Sequence, residues 1–404
     1  MINLSEAVSK VKKILLLIKR GNLIKRLYKI LFKLIGFLPA KKNLIVFESF
    51  LGKQYSCNPR AIYEYLQENH PDYEMYWSID PRYANIFKDV NSKTLGRFSI
   101  PWLFKMARAK YWVSNSRLPA WIPKPNHTVY LQTWHGTPLK RLAADMKEVH
   151  MPGTNTENYK ENFLRESSRW DYLISPNRYS SEIFTRAFDF KKEMIESGYP
   201  RNDYLYKNNT PEAIRALKKS LNIPLDKKVI LYAPTWRDNE FHEKGKYKFN
   251  LKLELDKMQE TLGGNYIILL RMHYLIADNI DITAYSDFAY DVSDHTDISE
   301  LYLLSDMLIT DYSSVFFDYA NLKRPMIFYV YDIENYRDVL RGFYFDFEKH
   351  APGPLVKTTE EVIHHIQNPR ELKTDLERFH KKFCYLESGQ SSKRVVEKVF
   401  PPKR

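Results

Sequence analysis

The chain has 404 residues and a formal net charge of +13, and 15% of its residues are aromatic. This length allows two domains of ordinary size, and the basic excess points to anionic partners such as nucleic acid, anionic lipid or phosphate-rich substrates. The only two cysteines, Cys57 and Cys384, lie far apart, which excludes a disulfide framework and a cysteine metal site and favours a reducing compartment.

Residues 1–40 differ from the rest of the chain because they contain many basic residues and only one acidic residue, Glu6. On a helix one side collects Leu23, Leu27, Ile30, Leu31, Leu34 and Leu38, and the other collects Lys25, Arg26, Lys29 and Lys33. The longest apolar run, residues 14–18, is too short to cross a bilayer, and no secretory cleavage site follows it. We therefore predict basic amphipathic helices that bind an anionic membrane surface; the alternative is a helix packed on its own domain.

From residue 41 onward, predicted strands alternate with predicted helices. The strands of the first half are 43–48, 73–79, 111–114, 129–134 and 170–175, and those of the second half are 228–233, 266–270, 288–292, 307–310 and 326–330. Helices are predicted at 59–68, 180–188 and 298–304, and a connecting helix and linker at 208–226. This alternation predicts an α/β protein with two Rossmann-like domains, 41–207 and 208–404, that face a cleft. Neither half contains a G-x-G-x-x-G motif or a P-loop.

His135 follows the strand that begins at Val129, within the stretch TVYLQTWHGTPLKRL. Gly136 breaks the strand, and Pro138 suits the first turn of a helix, so we expect a helix to begin there. Ligands of open α/β sheets bind at this edge, and a histidine can take a proton near neutral pH. The alternative is a core histidine in a tight turn.

Polar clusters follow predicted strands in both halves, at 134–138, 198–203, 234–238, 271–273 and 310–314. Arg201, Arg237 and Arg271 are fixed cations suited to phosphate, and Ser313 and Ser314 can cap a helix whose start binds an anion. Taken singly, each residue has a structural alternative, because arginines also pair with acids and serines also cap helices. Together the clusters predict a phosphate site between the domains.

The polar residues favour direct displacement at phosphorus over a reaction through a covalent intermediate. The sequence shows no Ser-His-Asp order and no activated cysteine, and it predicts no structural metal while leaving a loosely held Mg²⁺ open. His135 and His273 can supply acid–base function, and the arginines can stabilise phosphate charge.

The motifs WHGTPLK, GYPRND, APTWRD, LRMH and SDMLITDYSSVFFDY together resemble those of the CDP-glycerol glycerophosphotransferases of teichoic acid synthesis, over residues 43–400. The resemblance implies a GT-B arrangement, a carboxyl-terminal half that binds CDP-glycerol, and His135 and His273 as the catalytic pair. It also implies that the following residues bind substrate: Gly136, Thr137, Pro138, Leu139, Arg201, Pro234, Thr235, Arg237, Arg271, Met272, Asp311, Ser313, Ser314 and Asp318. Tyr274 stands where the family has proline, so this loop departs from the family pattern.

We expect no cofactor, and the resemblance also implies the reaction. Glycerol phosphate would pass from CDP-glycerol to an undecaprenyl-diphosphate-linked disaccharide-glycerol phosphate acceptor, and CMP would be released. The enzyme would be peripheral, on the cytoplasmic face of the cell membrane, with other teichoic acid enzymes as partners. Alternatives are a primase that adds the first glycerol phosphate and a transferase that uses CDP-ribitol. A nucleic-acid-binding protein is disfavoured because the basic residues concentrate in 1–40.

Overall fold

The computed structural model describes residues 22–149, 154–235, 237, 241–243, 246–247, 251–272, 281–337, 342–369 and 376–401. The first half of the predicted membrane-binding segment, up to residue 21, lies outside these ranges. His273, which was predicted to be catalytic, and Tyr274 also lie outside them.

The amino-terminal domain is a seven-stranded parallel sheet with helices packed on it. Its elements are α1 (Asn22–Gly36), β1 (Lys41–Glu48), α2 (Cys57–Asn69), β2 (Glu74–Ile79), β3 (Lys93–Gly96), α3 (Ile100–Arg108), β4 (Ala109–Ser114), β5 (Val129–Gln132), α4 (Thr156–Ser167), β6 (Tyr172–Ser175), α5 (Arg178–Ala187) and β7 (Glu193–Glu196). The strand order is β3-β2-β1-β4-β5-β6-β7, with every pair parallel. Because helices cover both faces, β1 is apolar and buried without a break from Leu44 to Phe47.

The carboxyl-terminal domain repeats this plan with a six-stranded parallel sheet. Its elements are α6 (Asp203–Asn208), α7 (Pro211–Ser220), β8 (Lys228–Ala233), β9 (Phe241–Glu243), β10 (Lys246–Tyr247), α8 (Leu255–Leu262), β11 (Tyr266–Leu270), β12 (Ala289–Asp291), α9 (Ile298–Leu304), β13 (Met307–Thr310), α10 (Val315–Tyr319), β14 (Met326–Tyr329), α11 (Ile333–Asn335), α12 (Phe347–His350), β15 (Leu355–Val356), α13 (Thr359–Gln367), α14 (Leu376–Phe383) and α15 (Ser391–Val399). The order is β12-β11-β8-β13-β14-β15, and β9 and β10 form a separate antiparallel pair.

In both sheets the chain order reverses next to the first strand, between β1 and β4 and between β8 and β13. Ligands of doubly wound sheets bind at such switch points, outside the carboxyl ends of the strands. The predicted alternation of strands and helices, and the predicted α/β fold with two Rossmann-like domains, are confirmed.

The prediction that a helix begins at Pro138 is wrong. The chain stays irregular after β5, and the next helical turn is the short 3₁₀ segment Ala143–Asp145. The backbone instead bonds to the carboxyl-terminal domain, since the Arg141 amide donates to the Gly342 carbonyl (3.1 Å) and the Tyr344 amide donates to the Leu139 carbonyl (2.8 Å). The Leu139 side chain lies in the core of that domain, so this segment joins the two domains.

The last helix, α15, returns to the amino-terminal domain. Val396 and Phe400 pack in one buried cluster with Ile45 and Phe47 of β1. The Asp203 carboxylate accepts the amides of Ser391 and Ser392, at 2.8 and 2.7 Å, and so satisfies the start of this helix. The predicted range 208–404 for the carboxyl-terminal domain therefore ends in a helix that belongs in space to the other domain.

Helix α1 contacts the protein with only part of its apolar side. Phe32 is fully buried, and Tyr28 and Ile35 pack beside it against the amino-terminal core. A second apolar strip, which continues two residues past the end of the helix, stays in solvent with exposed fractions from 45 to 85%: Leu27, Ile30, Leu31, Leu34, Phe37 and Leu38. Over the part of the chain that the structure describes, no helix is both long and apolar enough to span a bilayer.

Candidate active site

A cavity of about 400 Å³ lies between the two domains, at the carboxyl ends of their strands. His135 lines it, as do all the predicted substrate-binding residues except Arg237 and Asp311. The amino-terminal wall also includes Phe50 and Cys57, and the carboxyl-terminal wall includes Asp297 and Tyr302. The switch points of both sheets therefore open into one space.

The imidazole of His135 is held in one tautomer. Its Nδ1 lies 2.8 Å from the backbone carbonyl oxygen of Asn115, and because a carbonyl only accepts hydrogen bonds, Nδ1 carries the proton. Nε2 therefore keeps a lone pair. The ring stacks on Trp134 with centroids 4.6 Å apart and meets the edge of Phe50 at 5.7 Å. This arrangement orients the ring for accepting a proton at Nε2.

His135 is neutral in the free protein at physiological pH. Its pKa falls from 6.5 to about 4: desolvation of the ring at the cavity wall is the largest cause, the nearby Arg201 guanidinium acts in the same direction, and the Asn115 hydrogen bond opposes both. A neutral imidazole is the form in which histidine acts as a base.

Strained backbone conformations occur beside this ring. Three cavity-lining residues other than glycine are left-handed: Phe50 (φ 44°), Cys57 (φ 65°) and Trp134 (φ 50°). Such conformations persist only where surrounding contacts enforce them. Here the Phe50 amide donates to the Asn115 side-chain oxygen at 2.8 Å, and the Trp134 amide donates to the Gln132 side chain at 2.9 Å.

The two walls approach each other closely at Gly136. A Cβ atom at this position would lie 2.7 Å from Oγ of Ser314, which is closer than side chains tolerate. Ser314 is at the N-cap position of α10, but its side chain makes no cap hydrogen bond, and Ser313 Oγ is 3.5 Å from the Val315 amide. The capping expected for Ser314 is therefore wrong, and its hydroxyl faces the glycine of the opposite domain instead.

Arg201 links the walls. One guanidinium nitrogen donates to the His135 carbonyl at 2.8 Å, and the other lies 2.7 Å from Asp318 of the carboxyl-terminal domain. Both side chains are about nine-tenths buried. The residue thus ties the backbone of His135 to α10 and carries charge at the cavity wall.

Arg237 and Asp311, both predicted to bind substrate, lie behind the cavity. Arg237 pairs with Asp311 at 2.9 Å and with Asp332 at 2.8 Å, and it is only 4% exposed. Asp311 also accepts the Thr235 amide at 2.8 Å. Because β8 and β13 are neighbours, this buried pair fixes the loop after β8, and the structure gives both residues a supporting position.

Arg271, unlike Arg237, lines the cavity and bonds to backbone carbonyls. Its Nη1 donates to the carbonyls of Val292 (2.9 Å) and Ser293, and among the described residues no carboxylate lies within salt-bridge distance. Burial lowers its pKa, despite the distant aspartates around it. A desolvated cation that lacks a counter-ion and lines a cavity is suited to an anionic ligand.

Sequence reasoning missed Phe50, Cys57, Asp297 and Tyr302. Phe50 follows β1, so the rule that ligands bind at strand ends applied to it as well. Asp297 and Tyr302 belong to the start and body of α9, which follows the three-residue strand β12. No motif separated them from an ordinary helix.

Two Rossmann-like domains face one cavity, with a neutral histidine on one wall and, on the other, an arginine that has no carboxylate partner within the described ranges. This architecture is that of a transferase of the GT-B type. The chain belongs to the CDP-glycerol:poly(glycerophosphate) glycerophosphotransferase family, which residues 30–401 match.

Similar proteins are enzymes of teichoic acid synthesis. A teichoic acid poly(glycerol phosphate) polymerase of Bacillus subtilis is 63% identical over 397 residues, which cover 97% of this chain and 53% of that protein. One of the same name from Bacillus spizizenii is 62% identical over 388 residues, covering 95% and 98%. A teichoic acid glycerol-phosphate transferase of Staphylococcus aureus is 51% identical over 375 residues, covering 91% and 95%. The chain thus spans about half of the first relative and nearly all of the other two.

A solved structure of the wall teichoic acid polymerase TagF, a variant soaked with CDPG, superimposes with a TM-score of 0.86 at 42% identity. The match covers 99% of this chain and 98% of that chain, so the two share both domains and their arrangement.

Proposed function

We propose that this protein transfers glycerol phosphate from CDP-glycerol to a lipid-linked acceptor that already carries a first glycerol phosphate, and releases CMP. The observation that carries the proposal is the pairing of His135, whose Nε2 is free to accept a proton, with Arg271 in one cavity between the domains. The cavity volume of about 400 Å³ lies in the range of small-ligand sites.

The reaction is a direct displacement. The terminal hydroxyl oxygen of the acceptor attacks the β-phosphorus of CDP-glycerol while Nε2 of His135 takes the hydroxyl proton. The bond between the β-phosphorus and the bridging oxygen breaks, and CMP leaves with the electron pair. Arg271 stabilises the charge on the phosphate oxygens. His273, the second residue expected to be catalytic, joins Arg271 in this role.

The acceptor lipid places the enzyme at the cytoplasmic face of the cell membrane as a peripheral protein. The exposed apolar strip of α1 supports this, because Lys25, Arg26, Lys29 and Lys33 are exposed on the same helix. Apolar side chains beside cations suit a surface of anionic lipid. The acceptor is the undecaprenyl-diphosphate-linked disaccharide-glycerol phosphate.

The test is mass analysis of the lipid product made from a synthetic primed acceptor with CDP-glycerol or CDP-ribitol. We expect mass increments of glycerol phosphate with the first donor only, and their number separates a single addition from polymerisation. His135→Ala should lower turnover by about 10² to 10⁴, the usual contribution of a general base. The matched control, His350→Ala, removes an exposed histidine at the end of α12 and should leave turnover unchanged.

Extension with CDP-ribitol alone would contradict the donor assignment. Extension of an unprimed disaccharide lipid would identify a primase. Near-parental turnover of folded His135→Ala would remove His135 from the mechanism and leave His273 as the candidate base.

A further inference from the structure

Three buried polar atoms in the cavity wall have no hydrogen-bond partner among the described residues: Thr235 Oγ1, Tyr302 Oη and Arg201 Nε. Buried polar groups in folded proteins are almost always paired, so each such exception needs an explanation. All three carry a hydrogen that can be donated. A ligand rich in acceptor oxygens would satisfy them together.

Among these three atoms, we consider the hydroxyl oxygen of Tyr302 first, because the packing of the fold gives no reason for it. It is only 1% exposed, and its ring meets the edge of Tyr319 with centroids 5.8 Å apart. Tyr319 is equally buried, but its hydroxyl donates to the Ser305 carbonyl at 3.0 Å. A phenylalanine at position 302 would fill the same space without burying an unpaired hydroxyl. Packing therefore accounts for the ring of Tyr302 and not for its oxygen.

The surroundings of Tyr302 leave its hydroxyl proton available to a ligand. Burial raises the pKa of Tyr302 well above its ordinary value, so the hydroxyl stays protonated and can donate. The nearby carboxylates are already engaged, since Asp318 pairs with Arg201 at 2.7 Å and Asp297 pairs with Arg60 at 2.9 Å. Arg271, in contrast, has no carboxylate partner among the described residues. Tyr302 and Arg271 therefore form a neutral donor and a cation on one wall of the cavity.

We infer that Tyr302 binds the donor nucleotide, its hydroxyl donating a hydrogen bond to a diphosphate oxygen next to Arg271. The inference rests on the proposed function, because it takes CDP-glycerol as the ligand. A hydrogen bond to an ionised acceptor is about twice as strong as one between neutral groups. Loss of this hydroxyl should therefore weaken donor binding measurably.

The experiment compares Tyr302→Phe with Tyr319→Phe in the full chain. Dissociation constants for CDP-glycerol are measured by calorimetry, and Tm is measured without ligand. We expect Tyr302→Phe to bind CDP-glycerol about tenfold more weakly with its Tm unchanged or raised, because the lost hydroxyl had no partner in the free protein. Tyr319→Phe should show the reverse, a lowered Tm with parental affinity.

Every other outcome contradicts either the proposed function or the inference about Tyr302. If the parent does not bind CDP-glycerol, the proposed function fails and the inference fails with it. If the parent binds and Tyr302→Phe binds equally well, the inference alone fails. If Tyr302→Phe loses affinity only together with a fall in Tm as large as that of Tyr319→Phe, its hydroxyl has a structural role and the inference is wrong.

Discussion

At the scale of single residues, His135 illustrates how position sets acid–base chemistry. Desolvation of the ring at the cavity wall holds its pKa at about 4, below its ordinary value of 6.5. Protonation is therefore less favourable in the folded than in the unfolded chain, so the contribution of this group to stability is complete above pH 6.5. It declines as the pH falls from 6.5 to about 4.

The same reasoning predicts the effect of donor binding on this pKa. A diphosphate in the cavity places negative charge near the imidazole, which favours its protonated form and should raise its pKa toward the neutral range. Titration of the His135 ring by NMR, with and without CDP-glycerol, measures both values. A pKa near 6.5 in the free protein, or one that CDP-glycerol leaves unmoved, would contradict the expectation.

Arg271 and Arg237 should respond differently to the same substitution. Arg271→Ala should weaken CDP-glycerol binding by about tenfold or more, because a charge-assisted hydrogen bond contributes about 1.5–3 kcal/mol. Its Tm should change little, since no carboxylate of the described residues loses a partner. Calorimetric affinity and a melting curve on each variant test this expectation.

Arg237→Ala is the comparison variant. It leaves Asp311 and Asp332 without their cation in a buried site, which typically costs about 3–5 kcal/mol of stability. A large fall in Tm for Arg271→Ala, or none for Arg237→Ala, would reverse the roles that the structure gives them.

At the scale of elements, α1 has one apolar side that packs on the protein and another that is exposed. Phe32 and its neighbours attach the helix to the amino-terminal domain, whereas Leu31 and Leu34 are 52% and 57% exposed. Deletion of the whole segment 1–40 would also remove Phe32 from the core and uncover Trp112, whose ring it meets at 6.3 Å. Point substitutions in the exposed strip are therefore the cleaner test.

The double variant Leu31→Ser, Leu34→Ser should bind vesicles of anionic lipid at least tenfold more weakly, with an unchanged Tm. Burial of a leucine side chain contributes about 1.5–3 kcal/mol, and both side chains are already in solvent in the free protein. Co-sedimentation with vesicles measures the binding. As the control, Phe32→Ala should lower Tm while the exposed strip is retained. Unchanged vesicle binding by the double variant would show that α1 does not face the membrane.

The elements that the sequence predicted are those whose own residues determine them. Strand β1 was predictable because Leu44 to Phe47 are apolar and buried on both faces. The helix expected at Pro138 does not form because its segment bonds to residues 342–344, about two hundred positions further along the chain. Arg237 and Arg271 both follow a buried strand, and no local pattern could show that only Arg237 meets two aspartates.

At the scale of the whole molecule, α15 makes the two domains dependent on each other. Phe400 is 1% exposed and meets the ring of Tyr111 in the amino-terminal sheet at 4.7 Å. The Arg201–Asp318 ion pair and the 139–141 segment join the domains at the cavity. We therefore expect the described domains to unfold as one cooperative unit.

Phe400→Ala should lower the free energy of unfolding by about 3–5 kcal/mol, the usual cost of removing a buried phenylalanine side chain. The loss should appear in a single calorimetric transition. Lys393→Ala, on the exposed side of the same helix, should stay within about 0.5 kcal/mol of the parent. Two separate transitions, of which Phe400→Ala shifts only one, would show that the domains unfold independently.

The return of α15 also has a consequence for how the protein is made. During translation, α2 and β1 leave the ribosome early, but the helix that covers them follows only after the entire carboxyl-terminal domain. At about 5–20 residues per second, the roughly 190 residues between the 3₁₀ turn at Pro200–Asn202 and α15 take on the order of 10–40 s to synthesise. For that interval the nascent chain presents an uncovered apolar face, and the amino-terminal domain cannot complete its folding ahead of the rest.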